Sequence, residues 1–223
     1  YQIYAVKAAK KRVLEVKQNG YVFACTGSGK TLTSFKLAQL LREEARVDLV
    51  VFLIDRKDLD DQTVEEYNSF EKDCVDNTDS TRVLIQMLKS SEKKMIVTTI
   101  QKMQILVSKR LQEGTPEYNK IKNLKIAFVV DECHRAVTPK TKRELERFFG
   151  KSLWYGFTGT PRFAENPYPQ MGDLPRTTEE LYGERLHRYT IQNAIHDKAV
   201  LGFQVEHNGP KNIADETDSS AYD

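Results

Sequence analysis

The sequence predicts an α/β fold in which a mainly parallel β-sheet is covered by helices on both faces. Short apolar, β-branched runs alternate along the chain with longer amphipathic stretches, which is the order of strand–helix–strand units. A glycine-rich loop joins one apolar run directly to a helical pattern, and an acidic box directly follows another apolar run. In an open α/β sheet, loops at the carboxyl ends of strands are where ligands bind.

The predicted strands are the short apolar runs bounded by polar or glycine-containing segments. They are Tyr21–Cys25, Asp48–Ile54, Met95–Thr99, Lys125–Val130 and Leu153–Thr158. Trp154 lies in the last of these runs, and a tryptophan in an apolar strand is expected in the core.

The predicted helices are the stretches in which apolar residues recur at helical spacing and charges occupy the other side. They are Lys30–Arg42, Leu59–Phe70, Ile100–Leu111 and Lys140–Phe149. The segment Phe163–Pro175 is rich in proline, glycine and asparagine, which predicts a loop. The segment Asn212–Asp223 is polar and acidic, which predicts a tail or the start of a linker.

Length, charge and cysteine content limit the classes of protein that fit. The 223 residues suit one large α/β domain, or one domain with extensions. No apolar run approaches the roughly 20 residues that cross a bilayer, so we expect no membrane partner. The net charge of +2 means that any nucleic-acid contact must be local. Cys25, Cys74 and Cys133 are too widely spaced for a zinc knuckle or a disulfide framework, which favours a reducing cytoplasm.

The clearest chemical motif is the loop Ala24–Thr31, with the sequence ACTGSGKT, between a predicted strand and a predicted helix. Its glycines let successive backbone N–H groups point inward, and the helix adds the positive end of its dipole. Lys30 would reach the β- and γ-phosphates of a nucleotide, and Thr31 would offer its hydroxyl to Mg²⁺. The predicted cofactor-binding residues in the loop are Thr26, Gly27, Ser28, Gly29, Lys30 and Thr31.

The second motif is the acidic box Asp131–His134, with the sequence DECH, at the end of a predicted strand. Asp131 could hold Mg²⁺, and Glu132 could polarise the water that attacks the γ-phosphate. An isolated Asp-Glu pair is more often solvated surface charge. The glycine-rich loop earlier in the chain favours the catalytic interpretation, with Lys30 and Glu132 as the catalytic residues.

These two motifs and Thr158-Gly159-Thr160-Pro161 resemble motifs I, II and III of superfamily 2 helicases, in the expected order. Ile54–Asp60 and Thr98–Lys102 resemble motifs Ia and Ib of the same superfamily. From Tyr1 to about Gln204 the amino-acid sequence is similar to that of the motor subunits of type I restriction enzymes. The resemblance implies a RecA-like P-loop NTPase fold.

The resemblance also implies roles for further residues. Gln2 matches a glutamine that pairs with adenine, although an exposed terminal glutamine is the alternative. The residues implied to contact the DNA backbone are Arg56, Lys57, Thr99 and Gln101, and ordinary polar residues at strand ends are the alternative. The residues implied to couple the γ-phosphate to DNA are His134, Thr158 and Thr160.

As a whole, the resemblance implies the ATP-binding half of an ATP-dependent translocase on double-stranded DNA, which uses ATP and Mg²⁺. Residues 1–208 would form the first RecA-like domain, and residues 209–223 a tail or linker to a second one. The nuclease domain and the second motor domain would lie outside this chain, so the isolated chain should turn over ATP very slowly. Methyltransferase and specificity subunits would be its partners. The alternatives are another superfamily 2 helicase and a non-enzymatic ATP-sensing module.

Overall fold

The structure is a computed structural model that describes residues 1–55, 65, 68–70, 72, 80–90 and 95–202. Its described strands form one six-stranded sheet in the order β3-β2-β4-β5-β1-β6. Every pairing in this sheet is parallel. The strands are β1 (Gly20–Ala24), β2 (Leu49–Ile54), β3 (Met95–Thr99), β4 (Ile126–Val130), β5 (Leu153–Thr158) and β6 (Arg185–Tyr189).

The described helices connect the strands and cover the sheet. They are α1 (Gln2–Lys11), α2 (Lys30–Arg42), α3 (Thr81–Lys89), α4 (Ile100–Ile105), α5 (Pro116–Lys122), α6 (Cys133–Ala136), α7 (Pro139–Phe148), α8 (Thr178–Tyr182) and α9 (Ile191–His196). Short π-helical segments, Arg12–Val16 and Leu106–Arg110, extend α1 and α4. Within the described ranges, no helix is both long enough and apolar enough to span a bilayer.

The sequence prediction of the parallel α/β fold is confirmed, and five predicted strands are present with bounds that differ by one residue at most. The predicted helix Lys30–Arg42 has the bounds of α2. The predicted helix Lys140–Phe149 is α7, which begins one residue earlier because Thr138 caps it and Pro139 occupies its first turn. Most of the predicted helix 59–70, and all of the predicted tail 209–223, lie outside the described residues.

The predicted helix Ile100–Leu111 is present through Arg110, but its second half is π-helical from Leu106. The hydroxyl of Ser108 donates to the carbonyl of Gln104 at 2.7 Å. An α-helical N–H of Ser108 would use that same carbonyl, so side chain and backbone compete for it. The competition for the Gln104 carbonyl occurs where the α-helix gives way to the π-helix, between Ile105 and Leu106.

Strand β6 was not predicted from the sequence, because its residues lack an apolar pattern. Its first four residues are exposed or intermediate in burial, and within the strand only Tyr189 is buried. It lies at the edge of the sheet beside β1, and exposed charged residues are common on edge strands because they discourage further pairing.

The sheet is buried on both faces, as is typical of parallel sheets. Alternate residues of each strand point to opposite faces. One face packs against α1, α2 and α9 through residues such as Val22, Phe52 and Phe157. The other packs against α3, α4, α7 and α8 through residues such as Val51, Phe128 and Trp154. Trp154 is fully buried, as the sequence predicted.

The parallel pairing brings the carboxyl ends of all six described strands to one edge of the sheet. Thr158 of β5 pairs with Phe23 of β1, next to the glycine-rich loop. On the other side of β5, Gly156 pairs with Val130, the last residue of β4. The glycine-rich loop, the acidic box and the Thr158–Pro161 segment therefore meet at this edge.

Gly156 offers a test of how tightly β5 packs on α6. A Cβ atom at Gly156 would lie 2.7 Å from Sγ of Cys133 and 3.1 Å from Cδ1 of Tyr182. We expect Gly156→Ala to lower the free energy of unfolding by about 1–3 kcal/mol, the usual cost of overpacking a core. Gly150→Ala is the matched control, because a Cβ there meets nothing within 4 Å. Equal denaturation midpoints for the two variants would contradict the packing described here.

Candidate active site

The glycine-rich loop has a backbone shape suited to binding an anion. Gly27 and Gly29 have φ values of +79° and +82°, in the left-handed region that favours glycine. Gly29 is the N-cap of α2, and no side chain caps this end of the helix. The first N–H groups of α2 therefore have no intrahelical acceptor, and together with the helix dipole they form an anion site. The hydroxyl of Ser28 donates to the carbonyl of Cys25 at 2.6 Å and closes the loop on itself.

Two side chains from the start of α1 contact this loop. The amide nitrogen of Gln2 lies 3.4 Å from the carbonyl oxygens of both Ser28 and Gly29. The hydroxyl of Tyr1 donates to the carbonyl of Ser28 at 2.8 Å, and the ring of Tyr1 stacks on Tyr189 with centroids 4.0 Å apart. The structure thus brings the predicted adenine-binding glutamine to the loop. Tyr1 was missed, because no local pattern connects it to a loop so distant in the chain.

Asp131 is joined to the glycine-rich loop through Thr31. The hydroxyl of Thr31 donates to Oδ2 of Asp131 at 2.7 Å, across 100 residues of chain. Burial raises the pKa of Asp131, while the hydrogen bond from Thr31 and a bond from the backbone N–H of Glu132 lower it in part. A buried carboxylate beside a hydroxyl has the hard oxygen donors and the need for compensating charge that suit a divalent cation.

Glu132 faces Lys30 from a strained turn. Its backbone has φ of 43° and ψ of 47°, a left-handed conformation uncommon for a residue with a side chain. Its Oε1 lies 3.2 Å from Nζ of Lys30, whose side chain is only 5% exposed. Strain of this kind costs roughly 1–3 kcal/mol and is found at functional sites. The pairing joins the two residues that the sequence predicted to be catalytic.

His134 connects the acidic box to the end of β5. Its Nδ1 lies 2.8 Å from Oγ1 of Thr158, which accepts a hydrogen bond from the backbone N–H of Thr160. The same ring nitrogen lies 3.5 Å from Oε2 of Glu132. Burial is the largest influence on the imidazole and lowers its pKa, although Glu132 acts in the opposite direction. The three residues predicted to couple the site to DNA thus form one hydrogen-bonded chain beside Glu132.

Gly159 lets the segment after β5 lie directly on the glycine-rich loop. A Cβ atom at this position would lie 3.1 Å from Oγ1 of Thr26 and 3.2 Å from the carbonyl of Ala24. These are tighter than ordinary contacts, so a larger residue would push the two segments apart. All three chemical motifs are therefore in mutual contact.

The predicted DNA contacts are described only in part. Arg56 and Lys57 lie outside the described residues. Thr99 ends β3 beside Ile54 at the end of β2. Its hydroxyl caps α4 by accepting the backbone N–H of Lys102 at 3.3 Å. Gln101 is exposed on the first turn of α4. Thr99 therefore has a structural role in the cap, and contact with DNA stays a prediction for all four residues.

The oxygen donors of Thr31 and Asp131 suit a Mg²⁺ ion that also binds phosphate and water. They are too few for a metal ion whose ligands all come from the protein. In the described part of the chain, no group of three or more His, Cys, Asp or Glu side chains could hold a metal ion. Mg²⁺ in phosphate sites commonly takes one or two protein oxygens and completes its shell with phosphate and water. The paired oxygens of Thr31 and Asp131 match that chemistry.

Comparisons with known proteins give consistent results. The model of the SWI2/SNF2 ATPase family matches residues 1–221. The type I restriction enzyme SsaAORF53P endonuclease subunit of Staphylococcus saprophyticus is 45% identical over 221 residues, which are 98% of this chain and 23% of that protein. The SauCOLORF180P endonuclease subunit of Staphylococcus aureus is 46% identical over 207 residues, 93% of this chain and 21% of that protein. The chain thus spans less than a quarter of the length of these relatives.

Among solved structures, the ATP-dependent Type ISP restriction-modification enzyme LlaBIII bound to DNA superposes with a TM-score of 0.59. The match covers 89% of this chain and 15% of that chain, at 18% sequence identity. At this identity the likeness is evidence for the fold alone.

The imidazole of His134 should be neutral at pH 7. Burial lowers the pKa of His134 in the folded chain below the ordinary 6.5. At a pH between the folded and unfolded pKa values, the unfolded chain therefore binds more protons than the folded chain. The stability of the fold should therefore rise as the pH increases through this window and fall as the pH drops through it. An NMR titration of the ring protons should give a midpoint below that of an unfolded histidine.

Thr158→Val should raise the pKa of His134. Oγ1 of Thr158 accepts a hydrogen bond from the backbone N–H of Thr160. The hydroxyl proton of Thr158 is therefore available to donate to Nδ1 of the neutral His134 ring. Removing that donor leaves Glu132, which favours the charged ring. Thr141→Val is the control, because the hydroxyl of Thr141 on α7 is paired with that of Thr138, the N-cap of the same helix. A His134 midpoint that is the same in both variants would contradict this pairing.

Proposed function

This chain belongs to the SWI2/SNF2 ATPase family, among the endonuclease subunits of type I restriction enzymes, and we propose that it is the ATP-binding half of an ATP-dependent translocase on double-stranded DNA. One observation carries the proposal. Two pairs of side chains, Lys30 with Glu132 and Thr31 with Asp131, join the glycine-rich loop to the acidic box. The ammonium group, the hydroxyl and the two carboxylates of these side chains thus lie together at the N-terminus of α2, where phosphate can bind.

ATP would bind with its phosphates in the loop from Thr26 to Thr31. The N–H groups at the start of α2 would donate to phosphate oxygens, and Lys30 would exchange its partner Glu132 for the β- and γ-phosphates. The carboxamide of Gln2, now 3.4 Å from two loop carbonyls, would turn toward the edge of adenine. Gln2 would then sense the base and the phosphate loop together.

Thr31 and Asp131 would hold Mg²⁺, which supplies positive charge to neutralise the phosphates when it is bound. The cation would also compensate the burial that now raises the pKa of Asp131. Each of the two residues offers one oxygen from a separate loop. Both loops would therefore be needed to bind the metal together with the nucleotide.

Glu132 would act as the general base in hydrolysis. A water oxygen would bond to the γ-phosphorus while the bond from that phosphorus to the β–γ bridging oxygen breaks, which yields ADP and phosphate. The carboxylate of Glu132 would orient the water and accept its proton. Arginines that reach such sites from outside the phosphate loop are worth about 10³–10⁵ in rate. We therefore expect very slow turnover by residues 1–208 alone.

Duplex DNA would contact Thr99 and Gln101 at the end of β3, together with Arg56 and Lys57, which follow β2 in the sequence. Contacts of this kind hold the DNA backbone without reading sequence. The chain from Glu132 through His134 to Thr158 would report the state of the γ-phosphate to that region. The proposal includes methyltransferase and specificity subunits as partners, and a cytoplasmic location consistent with the free, buried Cys25 and Cys133.

Replacement of Lys30 tests the nucleotide site. With Mg²⁺ and a fluorescent ATP analogue, Lys30→Ala should weaken binding by at least about tenfold, because a charge-assisted hydrogen bond contributes roughly 1.5–3 kcal/mol. Lys36→Ala is the matched control, since Lys36 is exposed farther along α2. Chelation of Mg²⁺ should weaken binding by the unmodified chain. Equal affinities of the two lysine variants would disprove the proposed site.

Replacement of Arg56 and Lys57 tests the DNA contact. The double variant to alanine should bind duplex DNA more weakly whatever the sequence, and with a smaller dependence on salt, because fewer counterions are released. Lys151→Ala is the control, since Lys151 is exposed just before β5, at the amino edge of the sheet. Fluorescence anisotropy at several salt concentrations measures both quantities. An unchanged salt dependence would count against this DNA surface.

A further inference from the structure

The loop between Pro161 and α8 is fastened at both ends. The backbone N–H of Thr178 donates to the carbonyl of Arg162 at 2.9 Å, and the backbone N–H of Arg162 donates to the hydroxyl of Thr178 at 2.8 Å. Farther along, the carboxylate of Asp173 pairs with Arg143 of α7 at 2.7 Å. The segment that the sequence predicted to be a loop is therefore held against the body of the fold.

Tyr168 is fixed within this loop by neighbours on its backbone and on its ring. Its backbone N–H donates to the carbonyl of Arg176 at 2.7 Å, and its carbonyl accepts from Nε of Arg176 at 3.2 Å. The guanidinium of Arg162 lies over its ring, 5.5 Å from the centroid. The ring also packs on the core cluster that contains Cys133 and Tyr182. The direction of the hydroxyl is therefore determined by the fold.

The hydroxyl of Tyr168 donates to the main-chain carbonyl of His134 at 2.9 Å. This bond joins the loop to the acidic box across 34 residues. Burial raises the pKa of Tyr168 to about 12, so the hydroxyl keeps its proton and remains a donor at neutral pH. Helix α6, which receives the bond, contains only four residues.

Glu132 occupies a strained turn at the start of α6. Its left-handed backbone is unfavourable for glutamate, and no side chain caps α6 at this residue. The backbone N–H groups of Arg135 and Ala136 both donate to the carbonyl of Glu132 at 3.0 Å. A strained conformation persists only where the surroundings impose it. The bond from Tyr168 is a tertiary contact positioned to do so.

We propose that Tyr168 is a positioning residue for ATP hydrolysis, whose hydroxyl holds the Glu132–Ala136 turn so that the Glu132 carboxylate is directed into the site. The inference rests on the proposed function, since it assigns Glu132 the role of general base. Tyr168 acts through the main chain of His134 and touches neither the nucleotide nor the metal. It should therefore affect the rate of hydrolysis and not the affinity for ATP.

Kinetics of Tyr168→Phe, made in an endonuclease subunit that carries this chain in full, test the proposal. We expect kcat for ATP to fall by about five- to tenfold, the loss of one hydrogen bond in the transition state, with KM and nucleotide affinity unchanged. Tyr118→Phe is the control, because Tyr118 packs against Phe148, at the far end of α7. An unchanged kcat, or an equal loss in kcat and affinity, would overturn the proposal.

Hydrogen exchange in the isolated chain provides a second readout without turnover. In Tyr168→Phe, the amides of Arg135 and Ala136 should exchange faster, while those of β4 keep their protection. Exchange at unchanged rates would overturn the proposal even if kcat falls. Failure of the proposed function would be distinct, because the unmodified subunit would then show no ATP turnover that depends on Lys30. That result would overturn the assignment to hydrolysis, whatever the exchange rates.

Discussion

The ion pair between Lys30 and Glu132 is the interaction on which the arrangement of the site depends. Both side chains are largely withdrawn from water, with 5% and 25% of their surfaces exposed. A buried charge is tolerated only with a partner, so each residue compensates the other. The pair draws together two loops that leave separate strands, and the bond between Thr31 and Asp131 joins the same loops a second time.

Under the proposed function, this ion pair also explains how binding prepares the site for hydrolysis. Phosphate oxygens that attract Lys30 would leave the carboxylate of Glu132 without its cation. A carboxylate freed in this way can accept a proton from water. Nucleotide binding would therefore create the base as well as deliver the substrate. The hydrogen-bonded chain through His134 and Thr158 would receive any accompanying shift of Glu132, because Oε2 of Glu132 lies 3.5 Å from the His134 ring.

The turn that carries Glu132 is held from two sides. On one side, Gly156 of β5 leaves space for the Cys133 side chain, which would lie 2.7 Å from an added Cβ. On the other, Tyr168 bonds to the carbonyl of His134 from a loop that follows β5. Strand β5, which lies between the two loops, thus contributes a close contact through Gly156. The loop that follows β5 contributes the hydrogen bond from Tyr168. A short helix such as α6 can keep a strained start because both neighbours contact it.

The sequence by itself determined the parallel α/β fold, five of the strands, and the loops that carry Lys30 and Glu132. These features are encoded locally, by the period of apolar residues and by contiguous motifs at strand ends. Three features were determined only by the tertiary structure. They are the edge strand β6, the left-handed turn at Glu132, and the contacts of Tyr1 and Tyr168 with the site. A weakly apolar edge strand forms because β1 offers it free backbone groups. The tyrosine contacts join residues 27 and 34 positions apart, and no local pattern records which distant segments the sheet brings together.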